Sequence, residues 1–214
     1  MAKKTNKDFS LDEFIIKFDD FCKEVYKLPT EKLKPCLTVE KLIDLKLLLA
    51  DINGIITSET EKAFIQRLLS DGIISKETAE ATLEKHDART PYDNGYDIVI
   101  DDPWIAAEIK CNIPVEGDRF GAAQANAIKS DINKLFYPER KLKKQESLKK
   151  DFIKFMVVLR IGSGFDEAVS KIIKASEKQG IKIELYLPEI ELDCDTVYVM
   201  IIDKLGDSCN NLSH

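Results

Sequence analysis

Two carboxylates and a lysine, Asp97, Glu108 and Lys110, fall within one stretch, GYDIVIDDPWIAAEIKCN, that runs from Gly95 to Asn112. Paired carboxylates hold hard cations such as Mg2+, and a fixed ammonium beside them stabilises negative charge developing on a substrate. The chemistry on offer depends on whether the backbone brings the three together. At the two-residue period of a strand, Tyr96, Ile98 and Ile100 share one face, and Asp97, Val99 and Asp101 share the other. Asp102-Pro103 makes a turn, after which Ile105, Ala107, Ile109, Cys111 and Ile113 form an apolar face. Glu108 and Lys110 lie on the opposite face, beside Ala106. A turn centred between Asp102 and Pro103 sets Asp97 directly across from Glu108, with Cβ atoms about 4.5–5.5 Å apart. Two carboxylates that close repel unless a proton or a cation lies between them. A register slipped by one residue would turn Asp97 to the wrong face and dissolve the site.

The composition narrows the alternatives. The 214 residues are 44% hydrophobic and 33% charged, the proportions of a well-solvated globular protein with one large domain or a core plus a smaller helical appendage. No apolar run approaches the roughly 20 residues of a membrane span, and the basic N-terminus MAKKTNKDFS leads into no apolar segment. A cytoplasmic location without a membrane partner is expected. The cysteines, Cys22, Cys36, Cys111, Cys194 and Cys209, are odd in number and never spaced as CxxC, which argues against a disulfide framework and a zinc site. Only His86 and the terminal His214 carry imidazoles, so histidine-based hydrolase sites and catalytic triads have almost nothing to work with. His86, beside Asp87 near a predicted helix end, reads as a surface or capping residue. A net charge of -6 exerts no global pull on nucleic acid, so such binding would have to come from local basic patches.

Around the hairpin the chain reads as alternating helices and strands. Apolar spacing predicts a helix over 11–28, capped by Ser10 and stopped by Pro29, and a second over 39–52 ended by Asn53-Gly54. A third follows the capping box of Ser58 and Glu61 and closes at Asp71-Gly72, and a fourth covers 76–86. The segment LADINGIITSET has the look of a calcium loop, but Leu49 and Thr60 occupy its first and last liganding positions, so an EF-hand is not expected. Beyond the hairpin a helix is predicted over 122–136, with Ala123, Ala127, Ile128, Ile132 and Leu135 as its apolar stripe and Gln124, Lys129 and Asp131 off it. Arg140, Lys141, Lys143, Lys144, Lys149, Lys150 and Lys154 then make a basic run, either a solvated face or a phosphate-contacting patch. A strand over 152–162, a helix over 166–179 and two more strands, IKIELYLPEI and TVYVMIID, complete the order. The whole is α/β (α+β), with an N-terminal helical region over 1–88, an α/β core over 89–205 after a break near ARTPYDNG, and a polar tail over 206–214.

Asp97 with Glu108-Ile109-Lys110 resembles the PD-(D/E)XK nuclease superfamily, an acid on one strand and Glu-x-Lys on the next. The resemblance spans about 77–162, and the run EIKCNIPVEGDRFGAAQANAIKSDINKL is closest in impression to type II restriction enzymes. It implies a restriction-endonuclease-like mixed central sheet flanked by helices. It also implies that Asp97, Glu108 and the carbonyl of Ile109 ligate Mg2+, with Mn2+ able to substitute, and that Lys110 polarises the attacking water and stabilises charge on the phosphate. Many members add an acid from the preceding helix, for which Glu77, Glu80 and Glu84 are candidates. Gln124 resembles the glutamine some branches carry, and it and Lys129 are candidates for supporting or DNA-contacting roles. Ile128 replaces the tyrosine of a QxxxY signature, so the RecB-type branch is not implied, and Tyr96 stands where the motif often has proline. Of three D/E-x-K triplets, Asp44-Leu45-Lys46 falls in a helix and Glu139-Arg140-Lys141 in the basic run, leaving only Glu108-Ile109-Lys110 on a strand with an acid in register.

The resemblance implies an endonuclease that cuts double-stranded DNA as a homodimer. A repair, recombination or mobile-element nuclease would share the site, and a non-catalytic interaction protein could retain the fold. The plainest alternative is an edge hairpin with a Glu-Lys pair on its wet face.

Overall fold

The computed structural model describes residues 11–27, 39–87, 95–115, 118–137, 151–203 and 205. The tail over 206–214 and the basic residues Arg140, Lys141, Lys143, Lys144, Lys149 and Lys150 lie outside them. The chain divides into two units, Met1–Gly54 and Ile55–His214. This division does not follow the expected boundary near residue 88. Phe64, Ile65 and Leu68, with no exposed surface, and Ala79 belong to the same core as Ile98, Ile105 and Phe155, so the helices after residue 54 are part of the sheet unit.

Helix α1 (Leu11–Tyr26) lies in the first unit, and α2 (Val39–Ser70) runs from the first into the second. A single helix of 32 residues replaces the two predicted around Asn53-Gly54. An interior glycine costs only about 1 kcal/mol relative to alanine, which one helical ladder sustained on both sides can absorb. The would-be N-cap Ser58 is internal, and Thr60 Oγ1 donates to the Ile56 carbonyl at 2.7 Å within the same helix. The calcium-loop look-alike is therefore helical throughout. Where α2 does end, Gly72 takes φ 72°, and Ile73 N–H returns to the Leu68 carbonyl at 2.9 Å.

The second unit is a helix–sheet–helix sandwich. Its strands are β1 (Ile98–Asp101), β2 (Trp104–Lys110), β3 (Ile153–Leu159), β4 (Ile183–Leu185) and β5 (Val197–Ile202), in the order β1-β2-β3-β5-β4. Of these five strands among the described residues, only β1 is antiparallel to its neighbour. The interior strands β2, β3 and β5 have both faces covered, which is why their sequences are nearly unbroken apolar runs. One face, with Ile105, Ala107, Ile109, Phe155, Val157 and Tyr198, packs with the second half of α2 and with α3 (Lys76–Asp87). The other, with Ala106, Met156, Val158 and Val199, is covered by α4 (Ala122–Phe136) and α5 (Phe165–Glu177). Helix α4 has the predicted bounds, though its buried stripe is only Ile128, Ile132 and Leu135, with Ala123 and Ala127 exposed. No helix among the described residues is long and apolar enough to cross a membrane.

Continuity of α2 through Gly54 has a direct consequence. A Cβ added there meets nothing within 4 Å, so Gly54→Ala is expected to stabilise the chain by about 0.5–1 kcal/mol. Urea unfolding with far-ultraviolet circular dichroism reads this, and a loss of stability would mean that Gly54 instead caps a helix in the left-handed region.

Candidate functional site

The hairpin register runs from Ile98↔Ala107 to Asp101↔Trp104, the expected one, and ends one step short of an Asp97–Glu108 pair. Asp97 lies just before β1, and its Oδ2 accepts the Ile109 N–H at 2.7 Å, so its side chain closes the ladder where the strand has ended. The edge-hairpin alternative does not describe β2. This strand lies between β1 and β3, and Glu108 is only 4% exposed. Its carboxylate faces α4. Tyr96 departs from the predicted alternation: the bend at Asp97 turns it into the core beneath α4, away from Ile98 and Ile100.

Helix α4 supplies two charged groups that complete the cluster. Lys134 Nζ bonds Glu108 Oε1 and the Gly95 carbonyl, and it sits 5.0 Å from the centre of the Tyr96 ring. Lys110 Nζ pairs with Asp131 Oδ2 at 2.7 Å. Glu-x-Lys on the strand thus meets Asp-x-x-Lys on the helix, acid to base and base to acid. The Tyr96 hydroxyl donates to the Lys134 carbonyl at 3.3 Å, which anchors the same turn of α4. Burial, with the nearby Asp97 charge, pushes the Glu108 carboxyl up to about 7 against the opposing pull of Lys134. Burial acts to lower Lys110, but Asp131, Asp97 and Glu108 outweigh it and hold the ammonium above its ordinary value. Burial and the Glu108 charge raise Tyr96 to about 12.

The remaining sequence candidates are placed elsewhere or do other work. Glu77, Glu80 and Glu84 are exposed on α3; Glu80 pairs with Lys76 at 3.7 Å, and Glu77, beside the N-cap Ser75, is lowered by backbone and Ser75 hydrogen bonds. The acid that pairs with Lys110 comes from α4. Gln124 Oε1 accepts the Gly121 N–H at 3.1 Å and caps that helix. The Lys129 carbonyl accepts from Asn133, and the Lys129 side chain is half-buried. Lys154 leaves the expected basic run altogether, buried on β3 with its ammonium bonded to the Cys194 carbonyl. His86 is not a surface cap: its Nε2 lies 2.5 Å from Glu61 Oε2, tying α3 to α2 where both side chains are largely covered. A cleft of about 660 Å³, lined by Glu59, Lys62, Gln66, Arg67 and Asp203 among others, also opens on the α2 side of the sheet, opposite Glu108.

Lys134 and Asp131 had a faint sequence signal. They lie three apart on a helix that follows the lysine strand, flanking Ile132, so they border a buried stripe. Only knowledge that this stripe packs over β2 makes them site residues.

Among the described residues no group of three or more His, Cys, Asp or Glu is arranged to hold a metal ion. Mg2+ commonly rests on one or two carboxylates and takes its remaining oxygens from water and substrate phosphates. The Asp97–Glu108 pair could suit that arrangement, since a carboxyl raised by burial and then by its neighbour's charge would be relieved by a divalent cation. No protein-family model, no curated protein and no solved structure matches this chain.

The folded chain holds the Glu108 proton to higher pH than the unfolded chain does. Stability from this group is therefore full below the ordinary carboxylate range and is lost as pH rises through about 7. Glu108→Gln is expected to remove that dependence, read as flattening of the unfolding free energy against pH. A second outcome separates a metal site from a structural ion-pair cluster. Lys134→Met should destabilise the metal-free chain by about 3 kcal/mol, since one buried charge loses its partner. Millimolar Mn2+ should restore most of that loss; a deficit that Mn2+ leaves untouched would make the cluster purely structural.

Proposed function

We propose that this chain is a Mg2+-dependent endonuclease that hydrolyses phosphodiester bonds of duplex DNA, with a restriction-endonuclease-like core and closest to type II restriction enzymes. The observation that carries the reading is a carboxyl, Glu108, covered on β2 with Lys110 two residues along the same strand face, while Asp97, just before β1, bonds the intervening Ile109 N–H and lies close enough for its charge to raise Glu108. Such burial is costly, and a well-packed apolar cluster would stabilise the fold at least as well. Charges buried at that cost suit a site that uses them.

When bound, Mg2+ would supply a water ionised near neutral pH and a counter-charge for the phosphorane-like transition state. Asp97 and Glu108 would hold it, with the Ile109 carbonyl as a further oxygen. Lys110, its side chain 25% exposed, keeps its ammonium at the margin of the cluster, where it can meet a scissile phosphate. Asp131 positions that ammonium and keeps it protonated. Lys134 neutralises Glu108 in the metal-free chain and would give way to the cation. A homodimer would present two such sites, one for each strand. A repair, recombination or mobile-element nuclease would use the same residues on DNA of another shape.

A second reading, a non-catalytic interaction protein on the same core, draws on the mutual pairing of Glu108 with Lys134 and Lys110 with Asp131. Cleavage assays decide between them. Purified protein should nick or cut DNA with Mg2+ or Mn2+ and not with EDTA. Lys110→Ala should lower the rate at least about 100-fold with Mn2+ binding nearly unchanged; because it also strips Asp131 of its partner, some thermal destabilisation is expected and the assay is run well below the unfolding transition. Inert wild-type protein on duplex, branched and single-stranded DNA would overturn the nuclease reading.

A further inference from the structure

The first half of α2 is apolar nearly all round and yet exposed. Ile43 is 58% exposed, Leu47 63%, Leu48 53%, Leu49 50% and Ile52 38%. At 100° per residue Ile43 and Leu47 lie on one side of the helix, Leu48 and Ile52 on the opposite side, and Leu49 between. A helix that is hydrophobic all round is ordinarily buried. In the same unit α1 exposes Ile16, Phe21 and Val25 by about half.

We infer that the Met1–Gly54 unit is a dimerisation module, in which α1 and the first half of α2 pack against the same helices of a second copy of this chain. The area is of the right size. The side chains named leave on the order of 700 Å² of apolar surface uncovered, close to the roughly 800 Å² that each partner contributes to a standard interface. The charges oppose self-association only moderately: α1 and the first half of α2 together carry eight acidic residues against four lysines, a like-charge repulsion between solvated groups that salt screens and the apolar contact has to outweigh. That acidic excess disfavours a lipid surface, for which a helix would carry a strongly basic polar face. A helix exposed on opposite sides suits a bundle, where neighbours from two chains enclose it, and two-fold pairing of identical surfaces is the commonest closed assembly.

The homodimer is shared with the nuclease reading, but the exposed helix carries it independently. A protein that dimerises here and cuts nothing would overturn that reading and leave this one standing. Sedimentation velocity on the full chain at about 10 μM should give twice the 24.3 kDa chain mass. Leu47→Glu and Leu48→Glu, on two sides of the helix, should each weaken the dimer at least about 100-fold. Both positions are more than half exposed in the single chain, so the sheet unit should unfold at an unchanged temperature. Should a variant lose helix, hydrogen exchange on the wild type replaces it: amides over 43–52 should exchange more slowly as concentration rises. A monomeric wild type, a dimer indifferent to both substitutions, concentration-independent exchange, or binding of the monomer to lipid vesicles would each overturn the proposal.

Discussion

Everything about the candidate site depends on burying one ionisable carboxyl on an interior strand. Glu108 sits on β2, with β1 on one side and β3 on the other, beneath a helix that leaves it almost no solvent. Removing a carboxylate from water is expensive unless a proton, a cation or a hydrogen-bonded base shares its charge. Burial resists ionisation of Glu108 most, the Asp97 charge resists it further, and Lys134 favours it. The result is a carboxyl held well above its ordinary range.

The way α4 meets β2 follows from that demand. Two residues along a strand advance about 6.6 Å, and three along a helix about 4.5 Å, so a Glu-x-Lys pair and an Asp-x-x-Lys pair can face each other with flexible side chains making up the difference. Acid and base alternate across the contact. The ladder is nearly self-neutralising, which makes it tolerable in a covered position, and it leaves Lys110 drawn toward Asp131 at the partly exposed margin. Tyr96 reinforces the same contact through its ring and its hydroxyl. The layer that encloses the carboxylate is thus also the layer that orients its cationic neighbours.

The two units meet different physical requirements. The Ile55–His214 unit satisfies its apolar residues internally, with separate cores on the two faces of the sheet. Among the described residues of the Met1–Gly54 unit, Ile16, Ile43, Leu47, Leu48 and Leu49 stay at least half exposed in the single chain. Helix α2 passes through the boundary without a break because neither Asn53-Gly54 nor the Ser58 capping box can outweigh an unbroken hydrogen-bond ladder. Local punctuation was misleading there for a plain reason: capping preferences are worth about as much as one interior glycine costs, so either outcome is open until the flanking turns are known.

The hairpin was legible from sequence because both its determinants are local. A proline turn fixes the centre, a period of two fixes the faces, and together they give the observed register from Ile98↔Ala107 to Asp101↔Trp104. The bounds of α4 and the order of the later strands were equally readable from periodicity. Burial of Glu108, the swing of Tyr96 to the opposite core, and the recruitment of Asp131 and Lys134 were not. Each depends on which helix lies over which strand, a contact between residues some 20 to 40 positions apart that no local period encodes. Sequence alone determined which side chains share a strand face; only tertiary packing decided which of them lost their water, because desolvation belongs to the layer above and not to the strand itself.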